Sequence, residues 1–369
     1  MINYLSHWDN NLTQSRGDIA IHLNDSYIRA ICPSDNPSEV KKYYKEHIQW
    51  ELDRKKLVDL VGFVKLSKIL KNINNNEIFH VFTLKSGIIF SFVVYFYNIK
   101  KSKSILSVNG LGYLFSDNAK AILLRNILRP FLKKTFNKAF DVIIFQNEDD
   151  KSQLENYLKF DNKSQLIESS GINTEEYVLK KTFNKKLKII LASRLLKDKG
   201  IKEYSNLIKK FDKNKFEFYL AGEIDKGNPS SLNENELEEI LKDKSLKFLG
   251  YLDVKNELHN YDILISMSKY EGFSRIMLEG TYVGLFCASL ENSGTKFIKE
   301  LENTILINAE ELENAHNEIN MILTNSMDIS LNNRTKIINK YSTKAVAEKF
   351  LTVYNCLLYT SPSPRDGTK

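Results

Sequence analysis

Short apolar runs alternate with stretches of helical period along nearly the whole chain, in two successive series. Strand followed by helix, repeated, is what a parallel sheet requires, because parallel neighbours need a long crossover connection rather than a tight hairpin. In the first series strands are expected at Ile2–Leu5, Ile28–Cys32, Ile78–Phe82, Ser104–Val108, Val142–Gln146 and Gln165–Glu168. The second series places them at Lys188–Ala192, Glu217–Ala221, Leu246–Leu249, Ile263–Ser266, Leu285–Ala288 and Thr304–Ile307. A chain of 369 residues, 42% of them hydrophobic, is long enough to fill two cores. The expected fold class is therefore α/β, with two doubly wound Rossmann-like domains at residues 1–174 and 187–340. A polar, Lys-rich linker is expected at 175–186, and a C-terminal helix at 341–355 that either stays with the second domain or crosses back to the first. Ligands of such sheets sit beyond the carboxyl ends of the strands, here in an inter-domain cleft.

Several classes of protein are excluded at this level. The apolar run Gly87–Tyr97 (GIIFSFVVYFY) ends at Asn98, short of the roughly 20 residues a spanning helix needs, and is expected to be core. No basic-then-apolar leader follows Met1, and Cys32, Cys287 and Cys356 have neither disulfide nor metal spacing, so a reducing cytoplasm is expected. The net charge of +7 suits a phosphate-rich ligand or an anionic membrane surface. Lysine is abundant everywhere, however, so charge alone does not select nucleic acid, and no nucleic-acid partner is expected. The stretch Lys120–Phe140 (KAILLRNILRPFLKKTFNKAF) mixes Leu, Ile and Phe with Arg125, Arg129, Lys133, Lys134 and Lys138. Such a segment either lies on an anionic bilayer or is a core helix with a basic solvent face, and Pro130 splits or kinks it. Cys356–Asp366 (CLLYTSPSPRD) reads as the translation of a transposase sequencing adapter, and residues 356–369 are expected to be a read-through scar.

Two segments carry candidate chemistry. Lys188–Gly200 (KIILASRLLKDKG) is a strand whose exit bears Arg194 and Lys199 ahead of a helix. A guanidinium fork and an ammonium at a strand end suit a diphosphate, although a solvated loop with surface lysines has the same look. Ser268–Gly280 (SKYEGFSRIMLEG) follows the strand Ile263–Ser266. There Gly272 allows close backbone approach, Ser274 is placed as the N-cap, and the helix start presents N–H groups to an anion. Glu271 in the loop and Glu279 on the helix are then acceptors for hydroxyls, unless both are surface carboxylates.

The order SRLLKDKG, then FLGY at Phe248–Tyr251, then EGFSRIMLE resembles glycosyltransferase family 4, retaining enzymes of the GT-B fold, with Glu271 and Glu279 at the family's E-x7-E spacing. In the first half His80–Lys85 (HVFTLK), Val108–Phe115 (VNGLGYLF) and Ile144–Asp150 (IFQNEDD) resemble the branch that extends lipid-linked sugars of capsules, O-antigens and glycoproteins. The resemblance implies a hexose or N-acetylhexosamine donor activated as a nucleotide diphosphate sugar, UDP-linked, and a glycan-lipid acceptor such as one on undecaprenyl diphosphate. It implies that Arg194 and Lys199 neutralise the donor diphosphate and that Glu279 holds the ribose. Glu271, with the Gly272 and Phe273 backbone, orients the transferred sugar, and His80 faces it from the other domain, its alternative being a satisfied strand histidine. Gly110, Gly112 and Lys85 line the cleft, no metal or cofactor is obligatory, and the enzyme works in the cytoplasm at the inner face of the membrane. Ser274 and Phe286 stand where the family usually carries Pro, and Lys296 where an acidic residue is frequent. Competing readings are a UDP-sugar 2-epimerase of the same fold and a non-catalytic binder of nucleotide sugars or nucleic acid.

Overall fold

The computed structural model describes residues 1–359 except 15, 24–26, 54–58, 100–102, 117, 160–162, 227, 229, 312–313 and 326–329. Two compact units result: Met1–Gly171 together with the chain from Thr343 onward, and Ile172–Ser342. The first unit holds strands β1 (Ile2–Leu5), β2 (Ile28–Cys32), β3 (Glu46–Gln49), β4 (Ile78–Phe82), β5 (Ser104–Val108), β6 (Val142–Phe145) and β7 (Lys163–Leu166). All pair in parallel in the order β3-β2-β1-β4-β5-β6-β7. The central strands β1, β4, β5 and β6 are buried along their whole length, as both-face coverage by helices demands. The edge strand β3 (EHIQ) was not expected; it is polar and half-exposed, so it carries no apolar run to betray it. On the opposite edge, β7 (KSQL) lies two residues earlier than expected.

The run read as core is the helix Leu84–Phe96, apolar on every side and packed between β4 and β5 and the long helix Ala119–Ala139. The last helix, Thr343–Tyr359, returns to the first unit and buries Val346, Phe350, Val353 and Tyr354 in the core with Tyr4 and Ile28. Cys356–Tyr359 of the adapter-like segment continue this helix, with Leu357 packed against the same core; residues 360–369 lie outside the described residues.

The second unit holds β8 (Leu187–Ala192), β9 (Phe216–Ala221), β10 (Leu246–Gly250), β11 (Ile263–Ser266), β12 (Phe286–Leu290) and β13 (Thr304–Ile307). They form one parallel sheet in the order β10-β9-β8-β11-β12-β13. The stretch expected as a linker packs onto this unit instead. Val178 N–H donates to Lys255 O at 2.9 Å, Lys180 N–H donates to Val283 O at 3.0 Å, and Tyr177 is buried. Its lysine content is what made it look solvated, yet the Lys180 side chain is 2% exposed and its Nζ lies 2.8 Å from Asp262 Oδ1.

Candidate active site

In the second sheet the strand order runs outward from β8 in one direction and from β11 in the other. The carboxyl ends of β8 and β11 are therefore the topological switch point, where flanking loops part and leave a crevice. Both sequence-predicted segments leave the sheet at that place. The β8 loop brings Arg194 and Lys199, and the β11 loop brings Glu271 and leads into the helix Arg275–Val283.

Glycine sets how closely the two loops approach. Gly200 has φ +69, and a Cβ on it would meet Met267 O at 2.2 Å, so any side chain there would push the β11 loop away. Lys269 N–H donates to Asp198 O at 2.9 Å, tying the loops together. From the third side, a Cβ on Gly294 would come within 2.5 Å of Glu271 O, and Ser274 N–H donates to Gly294 O at 2.8 Å. Gly294 lies in the segment Glu291–Lys296, which thus buttresses Glu271.

Lys199 Nζ sits 2.7 Å from Glu271 Oε1 and 3.3 Å from Ser268 Oγ, with the two charged side chains 14% and 20% exposed. Arg194 Nη1 lies 2.9 Å from Asp225 Oδ2, in the loop after β9. Each candidate phosphate-binding cation thus already holds a carboxylate. Glu279 is 7% exposed and accepts at Oε1 from Tyr177 O–H at 2.6 Å and from Arg275 Nε–H at 2.8 Å. Burial, and then the Glu279 charge, hold the Tyr177 phenol well above its ordinary range, so it stays a donor. Glu279 Oε2 has no hydrogen bond to the described residues, which leaves one oxygen to accept from a ligand. Gly272 is half-buried, and the Phe273 ring stacks on Phe297 at 4.2 Å between centroids, which fixes the backbone between Glu271 and the helix. Ser274 stands at the N-cap position but its side chain does not cap: Oγ is buried without a partner, and the first-turn N–H groups are not closed off by it.

Candidates in the first unit separate. Lys85 is half-buried in the first turn of the helix after β4, and Gly110 and Gly112 adopt φ +132 and +60 in the loop after β5. His80, in contrast, is 0% exposed. Its Nδ1 is 2.6 Å from Tyr354 Oη and its Nε2 2.7 Å from Ser107 Oγ, and its ring stacks on Phe82 at 4.1 Å. It is a satisfied core histidine, enclosed because β4 is covered on both faces, so its expected place against a bound sugar is not what these contacts provide.

Burial first, and the nearby Arg16 guanidinium second, hold the His80 imidazole well below its usual range. The unfolded chain takes that proton near pH 6.5, so stability is complete above that value and is lost as pH falls, by about 1.4 kcal/mol per unit. Asp150, raised to about 6 mainly by burial, works in the opposite sense, because its folded form holds the proton more tightly than the unfolded chain. The measurement is therefore the melting temperature of wild type minus His80→Gln between pH 7.5 and about 5. Wild type is expected to lose more, and parallel curves would remove His80 from this account.

Sequence reasoning missed a second group of polar side chains at the β1/β4 switch point of the first sheet. His7 Nδ1 lies 2.9 Å from Ser86 Oγ and 3.1 Å from Thr83 Oγ1, and Thr83 has φ +80, unusual for a β-branched residue. The available signal was position, a histidine directly after a buried strand. Tyr177, Asp225 and Arg275 were missed as well, although the i,i+4 spacing of Arg275 and Glu279 is a signal that could have found the last of them. Among the described residues no three His, Cys, Asp or Glu side chains cluster so as to hold a metal ion.

Residues 173–344 match the family model described as "Glycosyl transferases group 1", a span that coincides with the second unit. Poly(ribitol-phosphate) alpha-N-acetylglucosaminyltransferase of Staphylococcus aureus is 24% identical over 159 residues, which cover 40% of this chain. The matched segment spans only 30% of that relative's length. Sucrose-phosphate synthase from Thermosynechococcus elongatus superposes with a TM-score of 0.81 at 14% identity, over 98% of this chain and 100% of that one. Anabaena HepE in complex with UDP and glucose gives 0.74 at 12% identity, over 96% and 99%. Two Rossmann-like α/β units of parallel sheet are thus the fold of GT-B glycosyltransferase structures.

Proposed function

We propose that this chain is a retaining glycosyltransferase that moves a hexose or N-acetylhexosamine from a UDP-linked donor to a lipid-carried glycan at the inner face of the cytoplasmic membrane. The observation that supports the reading is the meeting of Lys199 with Glu271 at 2.7 Å where the β8 and β11 loops leave the sheet at its switch point, within the span that matches the group 1 glycosyltransferase model. The structural relative bound to UDP and glucose supports the donor class, and the name of the S. aureus relative makes UDP-N-acetylglucosamine the first sugar to try.

In this reading the donor diphosphate takes over Arg194 from Asp225 and Lys199 from Glu271. The freed Glu271 accepts from a sugar hydroxyl, and Glu279 Oε2 accepts from the ribose. The bond from the anomeric carbon to the diphosphate oxygen breaks as the acceptor hydroxyl oxygen adds on the same face, and the hydroxyl proton passes to the departing phosphate. Charge gathers on the diphosphate during that step. Once the bound donor has drawn these cations over, they and the helix N–H groups lower the barrier of the transfer step without further reorganisation.

Thermal-shift measurement on the full chain against UDP, GDP, ADP and several UDP-sugars tests the reading, with Arg194→Ala/Glu279→Ala alongside. A ligand at a hundredfold excess over its Kd stabilises the native state by about 2.7 kcal/mol. Uracil nucleotides are expected to raise the melting temperature of wild type and not of the variant. A cooperatively melting wild type that no nucleotide shifts would overturn the reading.

A further inference from the structure

The helix Ala119–Ala139 buries one face, through Ala121, Leu132, Thr135, Phe136 and Ala139, against the core of the first unit. Its opposite face is not a solvent face of the usual kind. Leu123, Ile127 and Phe131, one turn apart in succession, are 63%, 58% and 55% exposed, and Ile122 beside them is 38% exposed. Singly exposed apolar residues need no explanation, whereas a stripe of three large ones on one helix does.

The charges on the same helix are one-sided. It carries Lys120, Arg125, Arg129, Lys133, Lys134 and Lys138 and no Asp or Glu at all. Among the described residues none of these cations forms an ion pair, although the neighbouring helix Glu148–Leu158 offers carboxylates. Several are held on aromatic faces instead: Arg129 lies 5.5 Å from the Tyr157 ring centroid, and Lys134 and Lys138 lie 5.4 and 5.1 Å from that of Tyr95. Ring contacts of this kind position a cation and leave its charge uncompensated. No described helix is long and apolar enough to cross a membrane, so any bilayer contact by these helices is made from the surface.

An exposed apolar stripe beside a run of cations free of carboxylates matches one kind of surface, hydrocarbon beneath a layer of negative headgroups. We propose that the outer face of helix Ala119–Ala139 docks on an anionic lipid bilayer, with Leu123, Ile127 and Phe131 entering the acyl boundary and Arg129, Lys133, Lys134 and Lys138 meeting the headgroups. This deepens the membrane location in the reading above by naming the surface that makes the contact, and it is tested without sugar transfer, so it holds whichever sugar is moved.

Co-sedimentation of the full chain with vesicles tests it. Partition onto phosphatidylcholine vesicles containing about 30 mol% phosphatidylglycerol is expected to exceed that onto phosphatidylcholine alone by at least tenfold. Leu123→Ser/Ile127→Ser/Phe131→Ser is expected to lower anionic-vesicle binding about tenfold or more. Lys133→Gln/Lys134→Gln is expected to weaken it several-fold and to flatten its dependence on salt. All the substituted positions are exposed, so unchanged melting curves confirm that the variants fold. Equal binding to both vesicle types, or an unchanged triple variant, would overturn the proposal. So would a concentration-dependent dimer that the triple variant abolishes while vesicles leave wild type in the supernatant, since the stripe would then join two copies of this chain.

Discussion

Replacing Asp262 by alanine is expected to cost the second unit about 3–5 kcal/mol, a large stability loss for a single substitution. The carboxylate is 0% exposed at the start of β11. It holds Lys180 Nζ at 2.8 Å and accepts from Lys188 N–H at 2.8 Å, from Asn184 N–H at 3.0 Å and from Asn184 Nδ2–H at 2.9 Å. One side chain therefore joins β11, the start of β8 and the lysine-rich stretch before it. Alanine removes the acceptor and leaves a buried ammonium with no counter-charge, which costs more than the bonds themselves. For a unit of this size the drop corresponds to roughly 10 °C in melting temperature, readable by calorimetry. Asp262→Asn keeps the shape and part of the accepting capacity and should fall between. A loss below about 1 kcal/mol for alanine would mean that Lys180 finds water on its own and that the pair is incidental.

The second large effect concerns turnover. Lys199→Ala is expected to lower kcat for sugar transfer about 100-fold or more while changing KM much less, because the ammonium matters most when the departing diphosphate carries its extra charge. Steady-state kinetics with the donor that best stabilises the chain would show it. Equal changes in KM and none in kcat would assign Lys199 to ground-state binding. The same substitution also releases Glu271 from its ion pair, so Glu271→Gln in the Lys199→Ala background separates lost charge stabilisation from a misdirected carboxylate.

Strands buried on both faces announced themselves. Ile263–Ser266 has the expected bounds, because a continuous apolar run has no use other than the inside of a sheet. Edge strands showed only where they kept apolar residues, as Thr304–Ile307 does; the polar β7 was expected two residues late and the polar β3 was missed, because backbone pairing leaves no mark on side-chain pattern. The candidate site was legible where its residues follow a strand end, as Arg194, Lys199 and Glu271 follow β8 and β11. What joins those residues was not. The Lys199 and Glu271 side chains meet across 72 positions, and Tyr177 comes from a segment whose lysines suggested solvent. His80 shows the converse case. A histidine on a buried strand is consistent with either chemistry or packing, and only the Tyr354 and Ser107 hydroxyls decide between them.

The return of helix Thr343–Tyr359 to the first unit has a consequence for how the molecule is made. The second unit is contiguous in the chain and can close as soon as Ser342 has been synthesised. The first unit, begun much earlier, waits with Tyr4, His80 and Phe82 uncovered until Phe350 and Tyr354 emerge. The part of the protein that starts first is thus the part that finishes last, and in the interval its half-built core presents the aromatic surface that chaperones recognise and that aggregates share.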